Sequence, residues 1–311
     1  MHSSSCVVRA LRLRQGFGGH AVASAEAVAS SWLHFVLAFA LLFWSSTALA
    51  QQRPLVTEDP EPIGAGRILI EGGVDGARDQ RYPASGLRGT LWRVATLGFS
   101  FGLSSIAEFQ IDGGLHDHLS ITARDPTAPL AALVTATGTS TGSIEDTIVG
   151  TKIRLLSETT GRPAIGLRFA TRLPNASNES GLGTDTMDFY GSVLGAKTVQ
   201  SVRMVVNLGG AILSDPTSGN RQNDVFTYGA SFARAMTQQS EIVGEVNGRL
   251  STRSGGPFPG TESRGLLKFG GRFTQGPVRL DAGVFFGLTT IDPSIGFTAG
   301  FTYVFNAFTV P

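Results

Sequence analysis

The feature that most constrains this chain is the pattern of SIGFTAGFTYVF, Ser294 to Phe305, together with its recurrence upstream. Ile295, Phe297, Ala299, Phe301, Tyr303 and Phe305 fall on one parity, and Ser294, Gly296, Thr298, Gly300 and Thr302 on the other. Side chains of a strand alternate between its two faces, so this stretch reads as a strand with one apolar face. The same event recurs after residue 50: about ten residues of alternation, then a turn. The other predicted strands are Arg67 to Val74, Leu91 to Gly102 (Leu91, Ala95, Leu97, Phe99 and Phe101 sharing a face), Ala107 to Leu115, Asp146 to Leu155, Ala164 to Leu173 and Met187 to Ala196. Val202 to Ile212, Val225 to Ala235, Ile242 to Ser251, Leu266 to Thr274 and Val278 to Thr289 complete a count of twelve.

The links alternate as regularly as the side chains. Gly102 to Ser105, Glu158 to Arg162, Thr198 to Gln200, Gln238-Gln239 and Gly276-Pro277 are short. Asp75 to Arg88, His116 to Glu145, Pro174 to Thr186, Asp215 to Asp224 and Thr252 to Glu262 are long, and only Thr290 to Pro293 breaks the long series. Tight turns at one rim and longer loops at the other are what an up-and-down barrel of the outer membrane requires. The expected fold is therefore all-β, an antiparallel up-and-down transmembrane β-barrel of about 12 strands with both termini on the periplasmic side. A secreted β-sandwich is the competing architecture.

Residues 1–50 read as a cleaved signal peptide with a long n-region. Arg9, Arg12 and Arg14 are basic, Phe35 to Trp44 is a short apolar run, and Ala48-Leu49-Ala50 is a small-x-small cleavage pattern. The apolar run is shorter than the roughly 20 residues of a membrane-spanning helix. The expected organisation after it is a Pro-rich periplasmic segment or plug at 51–66, a barrel at 67–308 and a tail at 309–311, in the outer membrane of a Gram-negative bacterium. Removing Arg9, Arg12, Arg14 and Glu26 leaves 22 basic against 23 acidic residues, a formal charge of −1. That balance supplies no basic field for nucleic acid. The single cysteine, Cys6, lies in the leader, so the exported chain has neither a disulfide nor a cysteine metal site. About 260 residues remain, ample for one barrel.

Charge recurs in one parity of the strands and marks the face expected to line a lumen. On the basic side these candidates are Lys152, Arg154, Arg168, Arg172, Arg203, Lys268 and Arg272. On the acidic side they are Glu108, Asp112, Glu241, Glu245 and Asp281. One reading has them pair across strands and fill the interior. The other is a narrow passage with a basic arc from Lys152 to Arg203, favouring anions or polarised small solutes. A bore of twelve strands lies between filled eight-stranded barrels and open porins.

No catalytic, cofactor or metal set is assigned. His116 and His118, at the start of an expected external loop, supply the only two imidazoles after the leader, and a rim hydrolase built on them is the weakest reading. Gly181-Leu182-Gly183-Thr184 lies in a polar loop and lacks the strand–helix context of a nucleotide fingerprint. Arg53 to Pro62 is too rich in proline for a helix or a central strand. It reads first as a periplasmic tether, and otherwise as a small plug in which Glu58, Asp59 and Glu61 meet the basic arc.

The chain resembles the outer-membrane barrel family named for the meta-pathway of phenol degradation, a porin-like group. The resemblance rests on Pro54 to Pro60 (PLVTEDP), Ile70-Glu71-Gly72-Gly73, Asp146 to Leu156 (DTIVGTKIRLL), Leu167 to Asn175 (LRFATRLPN) with its Gly-Leu-Gly-Thr loop, and Val206 to Gly210 (VNLGG). It implies a barrel and the uptake of hydrophobic or aromatic compounds, and transfers no substrate residue. Barrels of this kind usually end on an aromatic residue, whereas here Phe308 is followed by Thr309-Val310-Pro311. The expected function is passive uptake of small solutes, with a non-transporting structural or adhesive barrel as the alternative. The expected partners are outer-membrane lipid, the barrel-assembly machinery and the small-molecule solute.

Overall fold

The computed structural model describes residues 53–309, so the expected signal segment lies outside the described residues. The strands are β1 (Arg67–Tyr82), β2 (Leu87–Gly102), β3 (Ala107–Arg124), β4 (Ser140–Ser143), β5 (Thr147–Leu156), β6 (Ala164–Leu173) and β7 (Asp188–Val199). They continue with β8 (Val202–Ser214), β9 (Gln222–Ala235), β10 (Ser240–Ser251), β11 (Arg264–Gln275), β12 (Val278–Gly287) and β13 (Ile295–Asn306). Consecutive strands pair antiparallel except β4 with β5, and β1 closes the ring against β13 from Arg67↔Asn306 to Arg78↔Ile295. The first half of β3 pairs with β5, and the short β4 pairs only with its second half. The result is a closed barrel of twelve strands with one accessory strand. Closure removes the unpaired edge that an open sheet of this size would expose.

Each of the twelve expected strands is present, and the differences are strand length and the accessory β4, which lies within the link expected at His116 to Glu145. The links expected at Asp75 to Arg88 and at His116 are strand: β1 runs to Tyr82, β2 starts at Leu87 and β3 continues to Arg124. The physical reason is a set of bulges. Asp79 and Ala95 have positive φ (59° and 57°), and the β1–β2 register shifts beside each of them. An inserted residue reverses the inside–outside alternation beyond it. Leu91 is accordingly buried, 1 % exposed, and does not share the outer face of Leu97, Phe99 and Phe101. In β3, consecutive Leu115 and His116 are both exposed, and beyond them Asp117 and Leu119 are buried.

The two faces differ as an inside-out protein requires. On β13 Phe301 is 44 % exposed and its neighbour Thr302 is 0 %. Phe169, Phe189, Phe226, Phe232, Phe269, Phe273, Leu280, Val284 and Phe297 are likewise exposed on outward positions. A contiguous exposed apolar belt of this extent has no soluble counterpart outside an interaction surface. Both ends of the barrel chain meet at the rim of tight turns, where Ala307 N donates to Gly66 O (2.9 Å) and Gly66 N to Gly102 O (2.8 Å).

If that belt faces lipid, a cation placed on it is costly. Val284→Arg, on the outward face of β12 between Phe269 and Phe297, is expected to lower unfolding free energy in phospholipid vesicles by about 2–4 kcal/mol, while Thr274→Arg, on the inward parity beside the tight turn, changes it far less. Guanidinium titration of the refolded variants measures both, and equal small effects would remove the lipid-facing assignment.

Candidate functional site: the barrel lumen

The twelve sequence-predicted charges fall on the inward parity of their strands, as the registers show: Glu108↔Lys152↔Arg168, Arg272↔Asp281 and Glu241↔Arg272 are direct neighbours on one face. What brings most of them together is not another strand but residues 53–63, which cross the lumen before turning into β1. Arg53 anchors the first end against β1, β2, β12 and β13. Its guanidinium donates to Thr96 Oγ1 (3.1 Å) and Thr298 Oγ1 (2.9 Å) and lies 3.8 Å from Asp75 and 3.6 Å from Asp281. Arg272 Nε donates to Arg53 O at 2.7 Å, and Arg272 Nη1 lies 3.6 Å from Glu241.

Further along, the segment behaves like a strand whose partners are side chains. A buried amide needs an acceptor, and here β10, β8 and β3 supply carboxylates and a carboxamide. Glu245 accepts from the Val56 amide (2.9 and 3.1 Å) and from the amide and hydroxyl of Thr57. Asn207 Oδ1 accepts from Glu58 N (2.7 Å) while its Nδ2 donates to Glu58 O (2.8 Å). Glu108 accepts from Ile63 N at 2.7 Å.

The acidic side chains of the segment meet the basic arc of β5, β6 and β8. Lys152, fully buried, has its Nζ 3.3 Å from Glu58 and 3.0 Å from Glu108. Arg168 Nε lies 3.0 Å from Glu58 and donates to Gln110 Oε1 at 2.9 Å, and Arg168 Nη2 is 3.7 Å from Asp112. Asp59 receives a two-pronged pair from Arg203 (2.8 and 2.7 Å), and Glu61 pairs with Arg154. The fifth cation of the arc, Arg172, is held by Asp146 and Asp188 instead. Lys268 lies 3.9 Å from Glu245. Arg203 is shared with Glu158 in the β5–β6 turn. Burial raises the Glu158 carboxyl, but the Thr198 amide and the Arg203 and Lys197 charges outweigh it and hold it below the usual carboxylate range. Its stabilisation is present above that range and lost as pH falls through the lowered value.

Glycine makes the bed on which the segment lies. A Cβ at Gly73 would come within 2.2 Å of Arg53, at Gly300 within 2.6 Å of Arg53, at Gly229 within 3.1 Å of Thr57, and at Gly166 within 3.0 Å of Pro60. The spaces beside it include two of note. One, of ≈ 240 Å³, lies against β1–β3. The other, of ≈ 580 Å³, opens toward the long loops between residues 53–58, β10, β11 and the inward apolar residues Ala77, Leu91, Leu266 and Phe285. The sequence reading missed that apolar wall, because the bulge at Ala95 places Leu91 inside.

The histidines stand apart from this interior. In β3, His116 pairs with Val94 and His118 with Trp92, on the parity opposite to the inward Asp117, and their rings stack with centroids 6.4 Å apart. The loop start expected there is strand. Among the described residues no group of His, Cys, Asp and Glu is arranged to hold a metal ion.

Fold and interior together define a closed β-barrel with an apolar exterior and a charged, largely compensated lumen. No family model matches the chain, so its resemblance to the phenol-degradation family stands on the motifs alone. No curated protein matches it either. Among solved structures it is similar to a NanC porin (TM-score 0.47, 8% identity, covering 76% of this chain and 98% of that one). It is also similar to the translocator domain of the autotransporter NalP from Neisseria meningitidis (0.46, 11% identity, 77% and 88%). A third likeness is to the Pseudomonas putida toluene transporter TodX (0.39, 10% identity, 85% and 97%). Likeness at this level identifies neither a family nor an activity.

The buried Glu58–Lys152–Glu108 cluster yields a stability prediction. Lys152→Ala leaves two carboxylates facing each other out of water and is expected to cost about 3–5 kcal/mol, whereas Arg162→Ala, an exposed turn residue, is expected to change stability by less than about 0.5 kcal/mol. Urea unfolding of both variants in micelles distinguishes them.

Proposed function

We propose that this protein is an outer-membrane channel for small solutes whose lumen is crossed by its own N-terminal segment. The apolar exterior supports the membrane assignment, with lipid as the surrounding partner. The single observation that carries the channel reading is the ≈ 580 Å³ cavity inside the barrel, opening toward the long loops and floored by residues 53–58. Cavities of about 300–1,000 Å³ are the size that takes small molecules. Passage then requires residues 53–63 to shift, exchanging their pairs with Lys152, Arg154, Arg168 and Arg203 for solvent. Hydrophobic or aromatic solutes, as the resemblance implies, fit the Leu91, Leu266 and Phe285 wall.

A second reading has a specific observation behind it. The extensive bonding of residues 53–63 across the lumen favours a barrel that stays closed and serves structure or adhesion.

Planar-bilayer recording separates the two. The channel reading expects small, infrequent openings from the intact chain. Deleting residues 53–63 is expected to raise single-channel conductance several-fold and shift selectivity toward anions, because Lys152, Arg154, Arg168 and Arg203 lose the acidic partners Glu58, Asp59 and Glu61. A deletion variant that inserts and conducts nothing would favour the structural barrel.

A further inference from the structure

Most lumen cations are matched to carboxylates, and two beside the larger cavity are not. Arg249 of β10 and Arg264 of β11 face each other directly across the ladder and both line the cavity. Arg249 spends its bonds on main-chain carbonyls, Nε to Glu262 O (2.9 Å) and Nη2 to Gly260 O (2.7 Å). Arg264 Nη2 reaches Arg81 O at 3.4 Å, and its buried Nε has no hydrogen-bond partner. Neither guanidinium has a carboxylate within 4.0 Å among the described residues. The three carboxylates of the cavity lining are committed elsewhere: Glu58 pairs with Lys152 (3.3 Å) and Arg168 (3.0 Å), Asp75 lies 3.8 Å from Arg53, and Asp292 Oδ2 accepts from Gly265 N (2.9 Å), Thr289 N (3.1 Å) and Thr289 Oγ1 (2.7 Å).

Like charges directly opposite one another on a sheet repel, and a donor buried without an acceptor is costly. An anion between them relieves both. Guanidinium geometry favours a planar, two-oxygen anion. Next to the pair the wall turns apolar: Leu266 is two residues along β11 from Arg264, Phe285 lies opposite Lys268 on β12, and Ala77 and Leu91 pack with Phe285. The Phe285 ring is fixed over Gly296, where a Cβ would come within 2.1 Å of it. Charge and apolar surface are therefore side by side in one space large enough for a small molecule.

We infer that the loop-side cavity is a binding site for a monocarboxylate with a compact apolar body, its carboxylate between Arg249 and Arg264 and its body against Leu91, Leu266 and Phe285. This deepens the channel reading by naming the class of solute, and rests on that reading for passage only, not for binding.

Titration calorimetry on the full chain extracted from membranes into detergent tests it, with cyclohexanecarboxylate, cyclohexylmethanol and acetate as probes. The carboxylate is expected to bind at least tenfold more tightly than the alcohol, which lacks the charge, and than acetate, which lacks the body. The double variant Arg249→Gln, Arg264→Gln is expected to lose tenfold or more toward the carboxylate and to leave the alcohol unchanged. If that variant does not fold, Arg264→Gln alone carries the test with a severalfold loss. Equal binding of carboxylate and alcohol by the wild-type chain, or full carboxylate affinity in a folded variant, would overturn the site. Carboxylate binding by a chain that never conducts in a bilayer would instead overturn the channel reading and leave the site standing.

Discussion

The interaction on which the interior depends is the buried cluster of Lys152 with Glu58 and Glu108. Lys152 is fully buried and points from β5 into the middle of the barrel, where an unpaired ammonium would be very costly. Glu108 comes from the neighbouring strand, but Glu58 comes from a segment with no regular secondary structure of its own. That segment is held because the barrel supplies acceptors for its amides, cations for its carboxylates and glycines to make room. Wall and segment thus complete one another: the basic arc would repel itself without the segment, and the segment's amides would be unsatisfied without the wall.

The same segment divides the lumen and so gives it two kinds of surface. Where residues 53–63 lie, positive charge is neutralised pair by pair. Toward the long loops the bulge at Ala95 turns Leu91 inward to join Ala77, Leu266 and Phe285, and the wall becomes apolar beside Arg249 and Arg264. An interior of uniform polarity would hold water and little else. One with a compensated floor, an apolar flank and two uncompensated guanidiniums can discriminate among small molecules.

Much of the fold was legible because the period of a strand is two and its parity can be read residue by residue. The inward placement of Arg168 and Arg172, and the outward placement of Phe297 and Phe301, follow from that alone. Parity reading fails at a bulge, since one extra residue reverses everything beyond it. This is why Leu91 was grouped with Leu97 and Phe99, and why the β3 extension bearing His116 and His118 read as loop. The basic arc and the acids of residues 58–61 were visible as charges. The bonds from Val56 and Thr57 to Glu245, nearly two hundred positions away in sequence, were not, because no local pattern encodes a contact of that separation. Arg264 escaped notice for a simpler reason: it falls between an expected loop end and an expected strand start, where no parity could be assigned.

The central claim is that residues 53–63 occupy the lumen. The single cysteine of the sequence is Cys6 and none lies among the described residues, so in a Cys6→Ser background a disulfide can be introduced without competitors. Thr57 and Gly229 are suited to it, since a Cβ at Gly229 lies 3.1 Å from the Thr57 hydroxyl. The measurement is the extent of cross-linking in Thr57→Cys, Gly229→Cys protein in the isolated membranes of the expressing cells, read from gel mobility after proteolysis between the two positions. The account predicts near-complete cross-linking under mild oxidation and little in Thr57→Cys paired with the outward Phe232→Cys. A segment that never cross-links to Gly229→Cys would contradict it.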